Sequence, residues 1–437
     1  MLDALMAAPV ILKVLGTLAL ILVLNRFCRH LVVSVSVGAV VLAFWSGHSA
    51  GEAARIAWRQ FSSASNLLLM LIIFQVIYLS SQMAATGVMR DLVGAVRARV
   101  SRRAAMAVLP AVIGFLPMPG GALFSAPLVD SCDADGCIPA GLKAQTNHWF
   151  RHVWEYWWPL YPGLLLALEI TGLEVWQFAA IGMPLSLCAI AGGSVFLLRR
   201  IEGEQGRPPA EAEGQGPSDG LFRLLLPIAV VIGSYAVVRL GYAGVRAAWP
   251  EAPKLNRYVP MVAGLCAAML VLQKQRPLTG QAWRKVLLSV RAVNMAVIVA
   301  AVRIYGAFIE SNLPSGQTLA AQMHAEMQDW GIPLILLLML LPFVSGLATG
   351  LTIGFVGPTF PIIFSLPGQG GSVAALLATS ALAFASGFMG TMLSPVHVCL
   401  VVSSEHFHTR ILRNAVGLMR PAAVVVAGGL ALYFLLG

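Results

Sequence analysis

Charge is what this chain has least of, and negative charge least of all. Of 437 residues only 11% are charged, with 19 Asp and Glu against 29 Lys and Arg, while 58% are hydrophobic. About a quarter of an ordinary soluble domain is charged, so a water-solvated globular surface is excluded. The surplus of +10 does not mark a nucleic-acid binder, because the basic residues fall between apolar runs, where they orient membrane segments. Cysteine is also sparse, with Cys28, Cys132, Cys137, Cys188, Cys266 and Cys399 scattered mostly in or beside apolar runs. Cys132 and Cys137 sit in DSCDADGC. No second ligand cluster accompanies them, so the segment reads as a solvated acidic turn and not a metal or redox pair. There is no P-loop, which removes direct ATP drive from this chain, and no His-Glu-x-x-His.

What the chain has instead is runs of about 20 apolar residues, the length that crosses a hydrocarbon core. Their centres include Val10–Leu24, Leu31–Phe44, Asn66–Leu79, Trp176–Leu198, Leu221–Val238, Val259–Leu272 and Ala422–Leu436. This is the pattern of an all-α, polytopic protein of a bacterial inner membrane. The first run lacks a basic leader and a small-residue cleavage site, so it reads as a retained anchor. Residues 199–220, RRIEGEQGRPPAEAEGQGPSDG, are rich in Gly, Pro and charge. Such a stretch forms neither a core nor a span, and it reads as a cytoplasmic linker between residues 1–198 and 221–437.

The two halves align. Trp58-Arg59 meets Trp283-Arg284 at an offset of 225, Asn66 meets Asn294 at 228, Leu109-Pro110 meets Leu341-Pro342 at 232, and Pro159 meets Pro395 at 236. The slow drift is that of loop insertions after a duplication. Each half reads as three spans, an interrupted hairpin (105–130 and 332–366), a broken helix (147–170 and 372–402) and a further span. Amphipathic basic stretches at Val88–Arg103 and Gln275–Ser289 lie among the early spans. If each hairpin enters and leaves on one side, a half crosses about five times, so the second copy runs inverted. The basic residues agree. With the amino terminus outside, Arg26, Arg29, Arg90, Arg97, Arg99, Arg102, Arg103, Arg199, Arg200, Lys274, Arg276, Arg284, Lys285, Arg410, Arg413 and Arg420 all fall in the cytoplasm, and the acidic segment Glu310–Asp329 falls outside. Both termini are then periplasmic, with about ten crossings and two re-entrant hairpins.

Backbone breaks in lipid survive only where they line a cavity or are covered by protein. Four segments break the helical pattern: Pro117-Met118-Pro119-Gly120-Gly121 with Ser125, Ser345–Pro358 with Thr349, Gly350 and Thr352, Trp157–Pro162 around Pro159, and Gly387–His397 with Thr391, Ser394 and Pro395. Amide-rich helix starts favour anions and carbonyl-rich ends favour cations, so such breaks suit a solute and a coupling ion. The bland alternative for Gly346-x-x-x-Gly350-x-x-x-Gly354 is close helix packing. Charge inside a span is a candidate by default. Arg303, with Asn294 before it and Glu310 after it, could supply fixed positive charge to an anion, and the bland reading is a buried structural pair or a snorkelling side chain. In NHWFRHVWEYWWPLY, His148 and His152 are spaced i,i+4, as are Arg151 and Glu155. A zinc site would need a third ligand that the sequence does not offer. The bland reading is an interfacial aromatic belt with an Arg–Glu pair, and the sharper one gives His152 or Glu155 a part in proton coupling. His397 joins them as a further candidate for proton traffic, since histidine is the side chain suited to that role.

At these residues the chain resembles the prokaryotic membrane family catalogued as domain of unknown function 401. The resemblance is carried by FLPMPGGALFSAPLVD, NHWFRHVWEYWWPLYPGLLLA and MLSPVHVCLVVSSEHF and covers most of the chain. That family looks like a branch of the ion transporter superfamily of carboxylate carriers and Na⁺/H⁺ antiporters. The resemblance implies two inverted repeats, re-entrant hairpins, a scaffold that dimerises and a transport part that moves like an elevator. Carboxylate carriers place Ser-Asn-Thr at their hairpin tips, where this chain has Met118-Pro119-Gly120-Gly121 and Ala348-Thr349-Gly350.

The expectation is a secondary transporter, not an enzyme, that moves a small carboxylate-like anion across a lipid membrane. It would need no cofactor beyond a coupling H⁺ or Na⁺. The hairpin tips, Pro159, Pro395 and Arg303 would hold the solute, and Asn294, His152, Glu155, Thr391 and His397 would serve the coupling ion. Monovalent cation–proton antiport is the alternative. An intramembrane lipid-handling protein or enzyme ranks third, for want of a nucleophile–base or metal constellation.

Overall fold

In apolar runs nearly free of charge, the backbone has no partner but itself, and helix is the result. The computed structural model describes residues 8–97, 99–115, 117, 121–133, 136–201, 220–313, 316–366 and 372–437. In the first half the helices are α1 Val10–Cys28, α2 Leu31–Trp45, α3 Ala50–Phe61, α4 Ala64–Ala85, α5 Val88–Arg97, α6 Arg102–Gly114, α7 Ala122–Asp130, α8 Ala140–Arg151, α9 Pro162–Thr171 and α10 Val175–Phe196. The second half holds α11 Leu221–Ala248, α12 Val259–Gln275, α13 Gly280–Leu287, α14 Val290–Ile309, α15 Leu319–Asp329, α16 Leu334–Thr349, α17 Thr352–Phe364, α18 Val373–Leu393, α19 Val398–His406, α20 Ile411–Gly417 and α21 Met419–Leu436.

Every apolar run anticipated from sequence is helical, and the chain is a multi-pass membrane protein. Among the described residues, seven helical segments are long and apolar enough to cross a bilayer, or eight if the bent pair α15–α16 is one span. That is fewer than the ten crossings expected. The difference has a physical source: α2 and α12 have only 15 and 17 residues, and the α8–α9 stretch is cut by an unwound segment. The linker falls on residues 202–219, which lie outside the described residues.

Both interrupted segments fold as helix–turn–helix pairs, α6–α7 and α16–α17. The base of the first pair is closed by charge. Arg102 reaches Asp133 at 3.4 Å, and Lys143 reaches Asp130 at 2.8 Å and Asp133 at 3.1 Å. Asp133 is buried and also accepts from the amides of Cys137 and Ile138. The acidic turn is therefore built around one buried carboxylate and is not simply solvated. The pair α6–α7 packs on α8 and α19, and α16–α17 packs on α18 and α9. Each pair thus leans on one broken helix of its own half and one of the other half.

Polar contacts gather the loops at two ends of the molecule. At one end Arg276 meets Asp91 at 2.5 Å and the Thr86 carbonyl at 3.1 Å. At the other, Glu326 accepts from the amides of Val10 and Ile11, His48 meets Ser311, and Asn256 meets Ser65. The run Gly47-His48-Ser49-Ala50-Gly51 has the letters of a hydrolase nucleophile elbow. A true elbow joins a strand to a helix. Here the run joins two helices, and Ser49 forms a capping box with Glu52 at the start of α3, which is the work of a helix cap.

Candidate functional site

The densest polar chemistry lies where α8 stops. The helix ends at Arg151, and residues 152–161 run as turns before Pro162 starts α9. The aromatic residues of this break are mostly buried, so an interfacial belt does not describe them. They hold the end of α6. Trp154 Nε1 donates to the Ala111 carbonyl at 2.8 Å, Trp158 Nε1 to Phe115 at 3.0 Å, and the Tyr161 hydroxyl to Gly114. The last carbonyls of a helix have no partner within it, and buried indole and phenol donors supply one. A Cβ on Gly114 would lie 2.0 Å from the Arg151 carbonyl oxygen, and one on Gly121 would lie 2.1 Å from its Nη2. Glycine at both ends of the first turn therefore lets it close onto Arg151.

The second turn closes on the same place. Gly350 ends α16 in the left-handed region, φ +65°, with its amide on the Gly346 carbonyl. Its missing Cβ would sit 2.8 Å from the His397 amide nitrogen. His397 lies in the break between α18 and α19, and its Nδ1 donates to the Gly350 carbonyl at 2.8 Å. Thr352, at the start of α17, donates from Oγ1 to Glu155 Oε2 at 3.0 Å. Glu155 Oε1 lies 2.5 Å from His152 Nδ1, and His152 Nε2 lies 3.2 Å from His397 Nε2. Glu155 is thus paired with His152 and not with Arg151, because the helix that would set an i,i+4 pair has already ended.

These groups surround a cavity of about 120 Å³. Pro117 of the first turn and Gly350–Thr352 of the second line it, with Arg151, His152, Glu155, His397 and Cys399. Three helix starts reach it: Pro162-Gly163 of α9, Thr352-Ile353 of α17 and Val398-Cys399 of α19. Helix ends gather on the histidine side. His148 lies in the last turn of α8 and bonds the Met392 carbonyl in the last turn of α18, while His397 bonds the carbonyl after α16.

Among the residues singled out from sequence, Pro117, Gly350, Thr352, His152, Glu155 and His397 line this cavity, and Gly121 lies against Arg151. Met118, Pro119 and Gly120 lie outside the described residues. Ser125 is buried, 3.4 Å from the Gly121 carbonyl. Thr349, Pro395 and Asn294 line a separate recess of about 820 Å³ beside Asn25, Arg26 and Arg29. Ser394 Oγ caps the Leu347 carbonyl at 2.6 Å, Thr391 packs on Gly346, and Pro159 stays in the break without lining the cavity. Arg303 is elsewhere. Its Nη2 lies 2.7 Å from Glu169 Oε1 and its guanidinium also meets the Gln60 side-chain oxygen. Two arginines line the cavity instead: exposed Arg291, and Arg151, 2% exposed, which the sequence offered only as half of a helical pair. Cys399 was also missed; its sulfur lies 3.3 Å from Arg151 Nη1.

The class follows from this arrangement: a multi-pass helical membrane protein in which two helix–turn–helix pairs and two broken helices meet at one mainly apolar cavity that carries a few charged and polar groups. The chain belongs to the family described as Protein of unknown function (DUF401), which it matches over residues 11–436. Among solved structures it is similar to the YdaH transporter of Alcanivorax borkumensis, whose crystal structure is described as revealing an unusual topology. The TM-score is 0.53, with 13% identity, over 88% of this chain and 89% of that one. At such identity the likeness is one of fold. A comparison with curated proteins finds no match.

Proposed function

We propose that this protein is a secondary active transporter of a small carboxylate-like anion, coupled to a cation at the same site. The observation that carries the reading is the cavity reached by three helix starts and the Arg151 guanidinium. A helix start carries roughly half a positive charge, and in a water-poor site its amides bind an anion without further help. At about 120 Å³ the cavity has room for roughly four water molecules, which fits a small acid. Broken helices that present starts to an anion and ends to a cation are a recurring design of secondary transporters. The structural similarity to YdaH, a transporter by its description, agrees with this reading.

The coupling ion is H⁺ in preference to Na⁺. The groups facing one another beside the cavity are two imidazoles and a carboxylate, whereas a hard cation requires oxygen ligands. A proton held between His152 and His397 leaves when Glu155 or solvent takes it. The exchanged packing of the two helix–turn–helix pairs supports reading residues 1–198 and 221–437 as inverted repeats. An elevator-like shift and a homodimeric scaffold complete the proposal.

Proteoliposome uptake of a panel of labelled small acids, with imposed pH or Na⁺ gradients, tests it. The expected result is saturable uptake of one acid, driven by a proton gradient and lost in Arg151→Gln. Uptake that ignores both gradients would overturn the coupled mechanism. Na⁺/H⁺ exchange without any acid would move the site to cation–proton antiport, with Glu155 as its carboxylate.

A further inference from the structure

The nitrogen atoms beside the cavity carry more than a proton relay requires. His148 is fully buried, its Nε2 meets the Met392 carbonyl at 3.0 Å, and its Nδ1 has no partner among the described residues. A carbonyl only accepts, so the proton of His148 is on Nε2 and a bare lone pair is left on Nδ1. The same logic fixes the others. His397 gives its Nδ1 proton to the Gly350 carbonyl, and His152 gives its Nδ1 proton to Glu155. Their Nε2 lone pairs then face each other at 3.2 Å. Three buried imidazoles thus each spend one nitrogen on an outer acceptor and turn the other inward, where His148 Nδ1 is bare and His152 and His397 also meet the Cys399 thiol.

We infer that His148, His152 and His397 form a binding site for a divalent transition-metal ion of the zinc class. A ring nitrogen from each lies within 4.8 Å of the others, and the ring centres are 5.2, 5.0 and 4.9 Å apart. Three imidazoles holding a tetrahedral ion at about 2.0–2.1 Å have ring centres roughly 5 Å apart. The outer partners are those that ligating histidines use: a carboxylate on His152 and backbone carbonyls on His148 and His397. Imidazole also selects the metal, since it suits Zn²⁺, Cu²⁺ or Ni²⁺ and not Mg²⁺ or Ca²⁺. The helix ends around the triad, with Glu155, offset the ion's charge. Cys399 lines the same cavity as His152 and His397 and is available as a fourth ligand. The ion and the relay proton compete for the same lone pairs. Metal binding itself does not depend on the transport reading.

The test uses Co²⁺ as probe on detergent-solubilised, tag-free full-length protein. The expected result is one Co²⁺ per chain with the visible d–d absorption of a pseudo-tetrahedral nitrogen site, displaced by Zn²⁺ and unmoved by excess Mg²⁺. His148→Gln and His397→Gln should each weaken binding at least tenfold, and Glu155→Gln by about 10–100-fold through the outer shell. Size-exclusion profiles matching the parent would show that these variants are folded, and if one is not, the other carries the comparison. Absence of the absorption, or absorption that persists in a folded histidine variant, would overturn the site. Metal binding without solute uptake would leave the metal site standing and remove the transport reading, so the two fail separately.

Discussion

Single residues divide by whether their role is written in their own letters. Gly350 was legible, because a glycine between prolines and threonines in a membrane chain announces a turn, and its φ of +65° bears that out. A β-carbon there is strained by conformation and again by the His397 amide 2.8 Å away. Gly350→Val is expected to cost roughly 1–3 kcal/mol for the strained backbone and to abolish uptake. Thermal unfolding and uptake measured on one preparation check both, and parental values for the variant would remove the turn from the mechanism. Arg303 could be read two ways from sequence, because a charge within a span looks the same whether it faces a solute or a partner on another helix. Its partner Glu169 lies 134 positions away along the chain, so nothing near Arg303 could reveal it. Arg303→Gln should leave the apparent KM for the acid unchanged and cost roughly 1–3 kcal/mol by leaving a buried carboxylate short of a partner. Adding Glu169→Gln should recover most of that loss. A raised KM with unchanged stability would return Arg303 to the solute.

At the scale of elements, the sequence located the breaks but not what they face. Proline and glycine act on their own neighbours, so the interruptions near 117–121, 157–162, 350 and 394–397 could be read locally. That the second break meets the first could not, since His152 and His397 are 245 positions apart. Spacing alone was equally blind to division of labour. Of Gly346, Gly350 and Gly354, Gly346 serves the packing of α16 on α18, lying where a Cβ would be 2.2 Å from the Gly387 carbonyl oxygen. Gly350 makes the turn, and Gly354 gives room to Thr349. The contact between α16 and α18 is sealed from the other side by Gly390, whose Cβ would lie 2.1 Å from the Phe343 carbonyl oxygen. Backbone cannot yield as a side chain can, and overpacking a tight core typically costs about 1–3 kcal/mol or more. Gly390→Leu should therefore cut the yield of monodisperse protein sharply, while the same change at Gly233, where nothing lies within 4 Å, should not. Equal yields would mean that α16 and α18 do not approach as closely as described.

For the whole molecule, the decisive question is whether the first helix–turn–helix pair returns to the face it left. Counting apolar runs could not answer it, because a hairpin and a crossing have the same composition and differ only in where their ends lie. The ends are joined here: Arg102, the first residue of α6, meets Asp133, after α7, and Lys143 binds the same carboxylate. Residues on either side of the pair therefore lie together, and in the proposed orientation the arginines at 97, 99, 102 and 103 place them in the cytoplasm. Two native cysteines report on this directly. Cys28 ends α1 and Cys137 follows α7, and both are exposed. In intact cells a membrane-impermeant maleimide should spare both, and permeabilisation should expose both. A cysteine introduced at exposed Asp329, in the acidic segment tied to the start of α1 through Glu326, should be labelled without permeabilisation. Labelling of Cys137 but not Cys28 in intact cells would mean that residues 105–130 cross the membrane completely. The second half would then run parallel to the first, and the helix starts that define the anion site would no longer meet from opposite faces.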